Sequence, residues 1–212
     1  MTACFFDIDG TLLDSAPDIS AAAQAACSSL GREPVLAGRI RGFIGRTLAD
    51  MFADFYPDAP LEEIDRMIQL YREIYRSRAH RETRVFPGVA EVLASLPGLK
   101  GTATTKATST AEAILEQFGL RRHFHHVQGT DHGRYKPDPA ILLEASAALC
   151  VRPEECWIVG DSPLDIEAGR RAGMRTCAVA WGYGNRHEIE RLRPDCWIQD
   201  PAELLHLSYA LP

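Results

Sequence analysis

Short apolar runs recur along the chain at 3–8, 101–105, 156–160, 176–180 and 195–198, with helical sequence between the later ones. This alternation restricts the fold more than any other feature. Runs of this length, rich in Val, Ile, Phe and Cys, read as strands buried on both faces. Residues 126–129 read as a further strand. Helices are expected from Pro87-Gly88 to about Leu96, up to Phe118 before Gly119, from about Pro139 to Cys150, from Pro163 to Gly173, and briefly from Pro201. Strands joined by helices must run parallel, so the expectation is an α/β fold, a parallel sheet with helices on both faces.

The first strand is separated from the rest by a long helical stretch. Pro17 to Leu30 reads as a helix with Asp18 in its first turn and Gly31 after it. Residues 39–80 stay helical, with breaks at Gly45 and Tyr56-Pro57. From Leu61 to Arg78, apolar residues fall at Ile64, Met67, Ile68, Tyr71, Ile74 and Tyr75, the spacing of an amphipathic helix. The expected domains are therefore an α/β core of 1–14 and 83–212 and an inserted all-helical unit of 15–82.

Charge narrows the function classes. A net charge of −6 argues against a nucleic-acid binder that relies on bulk positive charge. No apolar run approaches the roughly 20 residues needed to span a membrane, and the first strand lacks the basic lead of a secretory signal. The six cysteines, Cys4, Cys27, Cys150, Cys156, Cys177 and Cys196, form no CxxC pair. They read as buried thiols of a cytoplasmic protein. His123, His125, His126 and His132 lack the second half of a zinc motif and read as surface loop residues.

The chemistry begins in the first strand. Asp7 interrupts its apolar run and Asp9 follows two positions later, ahead of Gly10 and Thr11. Two like charges this close require a cation, a shared proton or a cationic partner. Ligands bind at the carboxyl ends of strands in an open parallel sheet. Three expected strands end there in polar residues: Asp7-Ile8-Asp9-Gly10-Thr11, Thr104-Thr105-Lys106, and Gly160-Asp161 with Asp165 four positions on. Lys136 sits in the proline-stiffened Tyr135-Lys136-Pro137-Asp138-Pro139. Asp7, Asp9, Asp161 and Asp165 converging on Mg²⁺ would resolve the repulsion, and Lys136 with Thr104 would suit a phosphoryl group. Plainer readings exist for single residues. Asp161 and Asp165 can be a helix cap and a first-turn acid, Lys136 an exposed loop lysine, and Lys106 a solvated residue opening a helix.

Together these residues resemble the haloacid dehalogenase superfamily in its phosphatase branch. Asp-Ile-Asp-Gly-Thr at 7–11 is similar to its first motif, DxDGT, Thr104 to its second, Lys136 in KPDP to its third, and Gly160-Asp161-Ser162-Pro163-Leu164-Asp165 to its fourth, GDxxxD. The ordered set spans nearly the whole chain. The resemblance implies a Rossmann-like core with a helical cap, and a catalytic set of Asp7, Asp9, Thr104 and Lys136. Asp7 would be the nucleophile that becomes an aspartyl phosphate, and Asp9 the general acid and then base. Mg²⁺ would be held by Asp7, the Asp9 backbone carbonyl and Asp161, with Asp165 supporting the metal or Lys136 from behind. Gly10, Thr104, Thr105 and Lys136 would hold the phosphoryl oxygens. Thr105 stands where relatives often have Asn.

The stretch DGTLLDSAPDISAA and Trp181-Gly182-Tyr183-Gly184 resemble phosphoglycolate phosphatase-like proteins more closely. The implied partner is a small phosphorylated metabolite, phosphoglycolate first, acted on by a monomer or homodimer in which cap closure excludes water. Arg46, in the turn Gly42–Thr47, is either a contact for a substrate carboxylate or phosphate or an ordinary exposed arginine. Alternatives are a sugar or nucleotide monophosphate phosphatase, a phosphomutase, which Thr11 disfavours by resemblance, and a phosphate-binding regulatory protein, which would be expected to lack one of the aspartates. A dehalogenase would not need Asp9. A phosphonoacetaldehyde hydrolase would need a cap lysine, and no Lys occurs before Lys100.

Overall fold

A computed structural model describes residues 3–207; residues 1, 2 and 208–212 of the expected core lie outside the described residues. The chain forms two compact units, one of 1–14 with 85–212 and one of 15–84.

The first unit is built on a five-stranded parallel sheet in the order β4-β1-β5-β6-β7. Its strands are β1 (Ala3–Phe6), β4 (Leu99–Thr102), β5 (Cys156–Gly160), β6 (Arg175–Val179) and β7 (Cys196–Ile198). β1 is central, with Phe6 opposite Thr102 on one side and Val159 on the other. The apolar runs lack an in-out polar alternation because both faces are buried. Cys4, Phe6, Trp157, Val159, Cys177 and Val179 pack with α5 (Val89–Ser95) and α6 (Thr108–Gln117). Ala3, Phe5, Cys156 and Ile158 point the other way, onto α7 (Ala140–Ala148) and α8 (Pro163–Ala172). The helix α9 (Arg186–Leu192) adds Ile189 to a small cluster with Ile166 and Ala178. Helices thus cover both faces of the sheet, as the alternation of runs requires.

Two expected strands and the reading of the cysteines need correction. The strand expected at 126–129 is only an isolated bridge between Gly101 and His126. Its backbone follows β4, with Thr102 N–H donating to His126 O at 3.2 Å, but the Thr102 hydroxyl accepts from Gln128 N–H at 2.9 Å. A side chain takes the place of a ladder carbonyl, so no strand propagates. The strand expected at 101–105 stops at Thr102, which leaves Thr104, Thr105 and Lys106 in the loop before α6. Among the cysteines, Cys4, Cys27, Cys156 and Cys177 are buried as expected, while Cys150 is exposed and Cys196 half-buried. No helix among the described residues is long and apolar enough to cross a membrane. A separate two-stranded sheet pairs β2 (Leu13–Asp14) with β3 (Arg84–Val85).

The second unit is helical: α1 (Ala16–Ser29), α2 (Ala37–Arg41), α3 (Leu48–Phe55) and α4 (Leu61–Ser77). Ile64, Met67, Tyr71 and Tyr75 of α4 meet Ile19, Ala22, Ala23 and Ala26 of α1 and Phe52 of α3 in one apolar cluster. Alanines on α1 permit close helix packing. Asp18 does more than favour the first turn of α1. It is fully buried, and it accepts from Arg78 Nε (2.9 Å), Glu82 N–H (2.9 Å), Thr83 N–H (2.8 Å) and the Thr83 hydroxyl (2.8 Å). Burial alone would raise its pKa; these donors outweigh burial and hold it below the ordinary carboxylate value.

Asp18→Ala removes the acceptor for a guanidinium and two backbone N–H groups. Loss of one partner of a buried pair costs about 3–5 kcal/mol, and urea unfolding should show a loss of that size. Because the folded-state pKa is depressed, Asp18's contribution is present above the unfolded value. It is lost as pH falls through the folded one, and Asp18→Asn should flatten that part of the stability profile.

Candidate active site

The sheet's carboxyl edge gathers the polar residues singled out above. Asp7 follows β1 directly, its N–H donating to Val159 O at 3.0 Å, so backbone pairing with β5 continues through it. The chain then turns tightly, with Leu12 and Leu13 N–H both donating to Ile8 O. Gly10 sits in the turn at φ +85°, a region L side chains rarely adopt. A side chain there would also strike the Asp161 carboxylate. Gly10 is thus required by a neighbouring acid as well as by backbone conformation.

Lys136 is the hub of the cluster. Its side chain is fully buried and its ammonium donates to Asp165 Oδ1 (2.5 Å), Ala103 O (2.9 Å) and Asp7 Oδ1 (3.0 Å). A lysine ammonium carries three donors, and these contacts account for all of them. Burial alone would lower its pKa, but Asp165 and Asp7 outweigh that and hold it above the ordinary lysine value. The exposed-loop reading of Lys136 is excluded by this burial.

Asp161 and Asp165 have different surroundings despite sharing one motif. Asp165 completes a capping box with Ser162 at the start of α8. Its Oδ2 accepts from Ser162 N–H (3.1 Å) and Oγ (2.6 Å), while Oδ1 takes Lys136. Asp161 accepts from the Thr11 hydroxyl at 3.2 Å and from Tyr183 N–H at 2.7 Å. Gly182 passes so close that a Cβ there would run into this carboxylate. The segment is held down in turn, because Trp181 Nε1–H donates to Thr11 O (3.1 Å) and Tyr183 OH donates to Asp14 Oδ1 (2.7 Å).

Asp7, Asp161 and Asp165 each offer an oxygen within 4.8 Å of the others, all buried. Such an all-oxygen, anionic donor set suits a hard divalent cation. Electrostatics point the same way. Burial, with the nearby Asp165 and Asp9, raises Asp7 to about 7 against the opposing charge of Lys136. Burial, then Asp165 and Asp7, raise Asp161 to about 8 against Tyr183 N–H and Lys136. These are carboxylates short of positive charge. Asp165 already holds Lys136 and caps a helix, which leaves Asp7 and Asp161 as the principal side-chain donors.

The remaining expected residues are spread more widely. Thr104 is fully buried, its hydroxyl accepting from Lys106 N–H at 3.4 Å; Thr105 is half-buried. Arg46 belongs to the helical unit, exposed, with its guanidinium 5.1 Å from the Phe43 ring centroid. His125 Nδ1 accepts from Lys100 N–H (3.1 Å) and His126 Nε2 meets Gln128 Oε1 (3.0 Å), so these histidines serve the loop. Lys106 is the clear correction. It precedes α6 and is not solvated: its ammonium lies 2.9 Å from Asp9 Oδ2, with the two side chains 10% and 8% exposed. The opening repulsion is thus met by lysines, Lys136 for Asp7 and Lys106 for Asp9. Thr11 and the Tyr183 N–H are contacts that sequence reasoning missed. Their signals were the Thr of DIDGT and the glycines around Tyr183.

The haloacid dehalogenase-like hydrolase family model matches residues 4–179. The chain is 34% identical over 211 residues to a phosphoglycolate phosphatase of Chromobacterium violaceum, covering 95% of this chain and 94% of that one. It is 37% identical over 188 residues to an N-acetylmuramic acid 6-phosphate phosphatase of Pseudomonas putida, covering 86% and 84%. Among solved structures, a haloacid dehalogenase-like hydrolase of Streptococcus pneumoniae superposes with a TM-score of 0.89 at 30% identity over 97% of both chains.

The raised pKa values set a pH dependence. In the cation-free fold Asp7 and Asp161 titrate near 7 and 8 rather than 3.8, so the native state binds more protons than the unfolded one between these limits. Their contribution to stability therefore falls as pH rises through that window. A divalent cation must displace those protons. The gain in Tm on adding one to chelator-treated protein should grow from about pH 5 to about pH 8; a gain independent of pH would contradict this.

Proposed function

The chain belongs to the haloacid dehalogenase-like hydrolase family and is a phosphoric monoester hydrolase, and from that premise we propose that it dephosphorylates a small metabolite, phosphoglycolate first, through a phosphoaspartate on Asp7. The observation that carries this reading is the position of Asp7: at the end of the central strand, paired with Lys136, beside Asp161, with Asp9 two residues on.

In this reading Asp7 attacks phosphorus and the ester oxygen leaves with a proton from Asp9. Asp9 then takes a proton from the water that opens the phosphoaspartate, which divides one hard displacement into two easier ones. Lys136, fixed by Asp165 and the Ala103 carbonyl, keeps positive charge where the phosphoryl oxygens gather. Gly10, Thr104 and Thr105 line the same edge and would contact those oxygens. Asp7, Asp161 and the Asp9 carbonyl would hold Mg²⁺, which when bound neutralises charge developing on the phosphoryl group. Arg46, exposed in the helical unit, keeps both its readings, a contact for a substrate carboxylate or phosphate and an ordinary exposed arginine.

A second reading is a phosphosugar substrate. It draws on the relatives named N-acetylmuramic acid 6-phosphate phosphatases, which at 35% and 37% identity are as similar as those named for phosphoglycolate. A panel of phosphate monoesters containing both compounds, with p-nitrophenyl phosphate, assayed with Mg²⁺ and with chelator, separates the readings. The expected result is Mg²⁺-dependent release of phosphate, phosphoglycolate among the better substrates, and a loss of roughly a thousandfold or more in Asp7→Asn. Activity that survives Asp7→Asn would overturn the mechanism; phosphoglycolate ranking among the poor substrates would overturn the substrate and leave the class standing.

A further inference from the structure

We propose that Lys106 is a positioning residue for Asp9, holding the proton-transferring carboxylate in the orientation from which it reaches the leaving oxygen. The inference rests on the reading of Asp9 as general acid and base. The Lys106 ammonium pairs with Asp9 Oδ2 at 2.9 Å, with both side chains largely shielded from bulk water.

Asp9 sits in a turn rather than in a strand. Its Cβ is carried by Ile8–Leu13, a loop closed by Gly10 N–H donating to Leu13 O at 2.9 Å. Backbone geometry alone leaves the carboxylate free to rotate about its side-chain torsions. General acid catalysis needs it within about 2.6–3.2 Å of one particular oxygen. Lys106 can impose that restriction because its own backbone is anchored on both sides. Its N–H donates to the Thr104 hydroxyl at 3.4 Å, and its carbonyl accepts from Thr130 N–H at 2.8 Å. Thr130 in turn donates its hydroxyl to Thr104 O at 3.1 Å. The stem of Lys106 therefore starts from a fixed point on the loop after β4, and the ion pair transmits that fixity to Asp9. Burial of both side chains confines the Lys106 ammonium against Asp9, so pairing with Oδ2 favours one carboxylate orientation over the others.

This role makes a prediction that a general packing role does not. A p-nitrophenolate leaves without help from an acid, whereas an alkoxide requires the proton. Lys106→Met should lower kcat/KM, which reports the transfer to Asp7 and not the later hydrolysis shared by all substrates, by roughly tenfold to a hundredfold for the best alkyl monoester of the substrate panel, and lower kcat/KM for p-nitrophenyl phosphate much less. Lys106→Arg, which keeps the ion pair, should recover part of the loss. In an Asp9→Asn background, Lys106→Met should have little further effect, because a residue acting through Asp9 has nothing left to position. Equal losses on both substrates, or full additivity with Asp9→Asn, would overturn the proposal. So would an unfolded Lys106→Met accompanied by a Lys106→Gln variant that folds and loses both activities equally. If Asp9→Asn itself shows no selective loss on the alkyl ester, the reading of Asp9 fails and takes the proposal with it. If Asp9→Asn shows that loss and Lys106→Met does not, the proposal alone fails.

Discussion

The buried ammonium of Lys136 is the contact on which the rest of the site depends. It joins the end of β1 through Asp7, the start of α8 through Asp165, and the chain beyond β4 through the Ala103 carbonyl. Three segments far apart in sequence are thereby fixed at one edge of the sheet. Burying such a group is costly unless every donor is matched. Here each of the three N–H groups has an acceptor, and pairing with Asp165 and Asp7 outweighs burial and keeps the lysine protonated. The arrangement leaves Asp7 and Asp161 with too little compensating positive charge, so in the cation-free fold they hold protons that a cation can displace.

Asp161 depends on a second device, the absence of side chains. Gly10 and Gly182 approach it from separate loops, and a Cβ on either would occupy its space. The loop after β6 contributes Tyr183 N–H to the carboxylate and is itself tied to the turn after β1 by Trp181 and Tyr183. Small residues allow the backbone to approach, backbone donors then orient the acid, and aromatic side chains lock the loop. Glycine at 182 therefore has a reason at the site.

The parallel sheet and its strands were legible because strands buried on both faces must be apolar throughout, as Cys156–Gly160 is. Lys136 and the aspartates were legible because charges at strand ends stand out against that background. Other features were not. The role of Asp18 rests on donors 60 or more positions away, Arg78 and the Thr83 hydroxyl together with backbone N–H groups at 82 and 83 that any residue but proline would supply. The Tyr183 donor is likewise a backbone group. Lys106 looked like a solvated helix opener, since sequence cannot show that its ammonium turns inward to Asp9. The missing strand at 126–129 has the same origin, a Thr102 hydroxyl replacing a backbone acceptor. Local pattern reports which segments are buried; it does not report which distant polar atom meets which.

Asp161 and Asp165 show how far identity and spacing fall short of role. Both are acids of one short motif, and both come within reach of Asp7. Asp165 answers to Ser162 and Lys136, so its charge is matched inside the protein and its oxygens serve a helix start and a lysine. Asp161 answers to a hydroxyl and a backbone N–H, which orient it without cancelling its charge. A charge that is oriented but unmatched is available to an outside cation. A charge matched by lysine holds the lysine instead. Asp7 and Asp9 both meet a lysine, but Asp7 shares Lys136 with Asp165, while Asp9 has Lys106 beside it. The pairing pattern, more than the number of acids, separates four otherwise similar side chains: Lys136 joins Asp7 and Asp165, Lys106 meets Asp9, and Asp161 accepts from a hydroxyl and a backbone N–H.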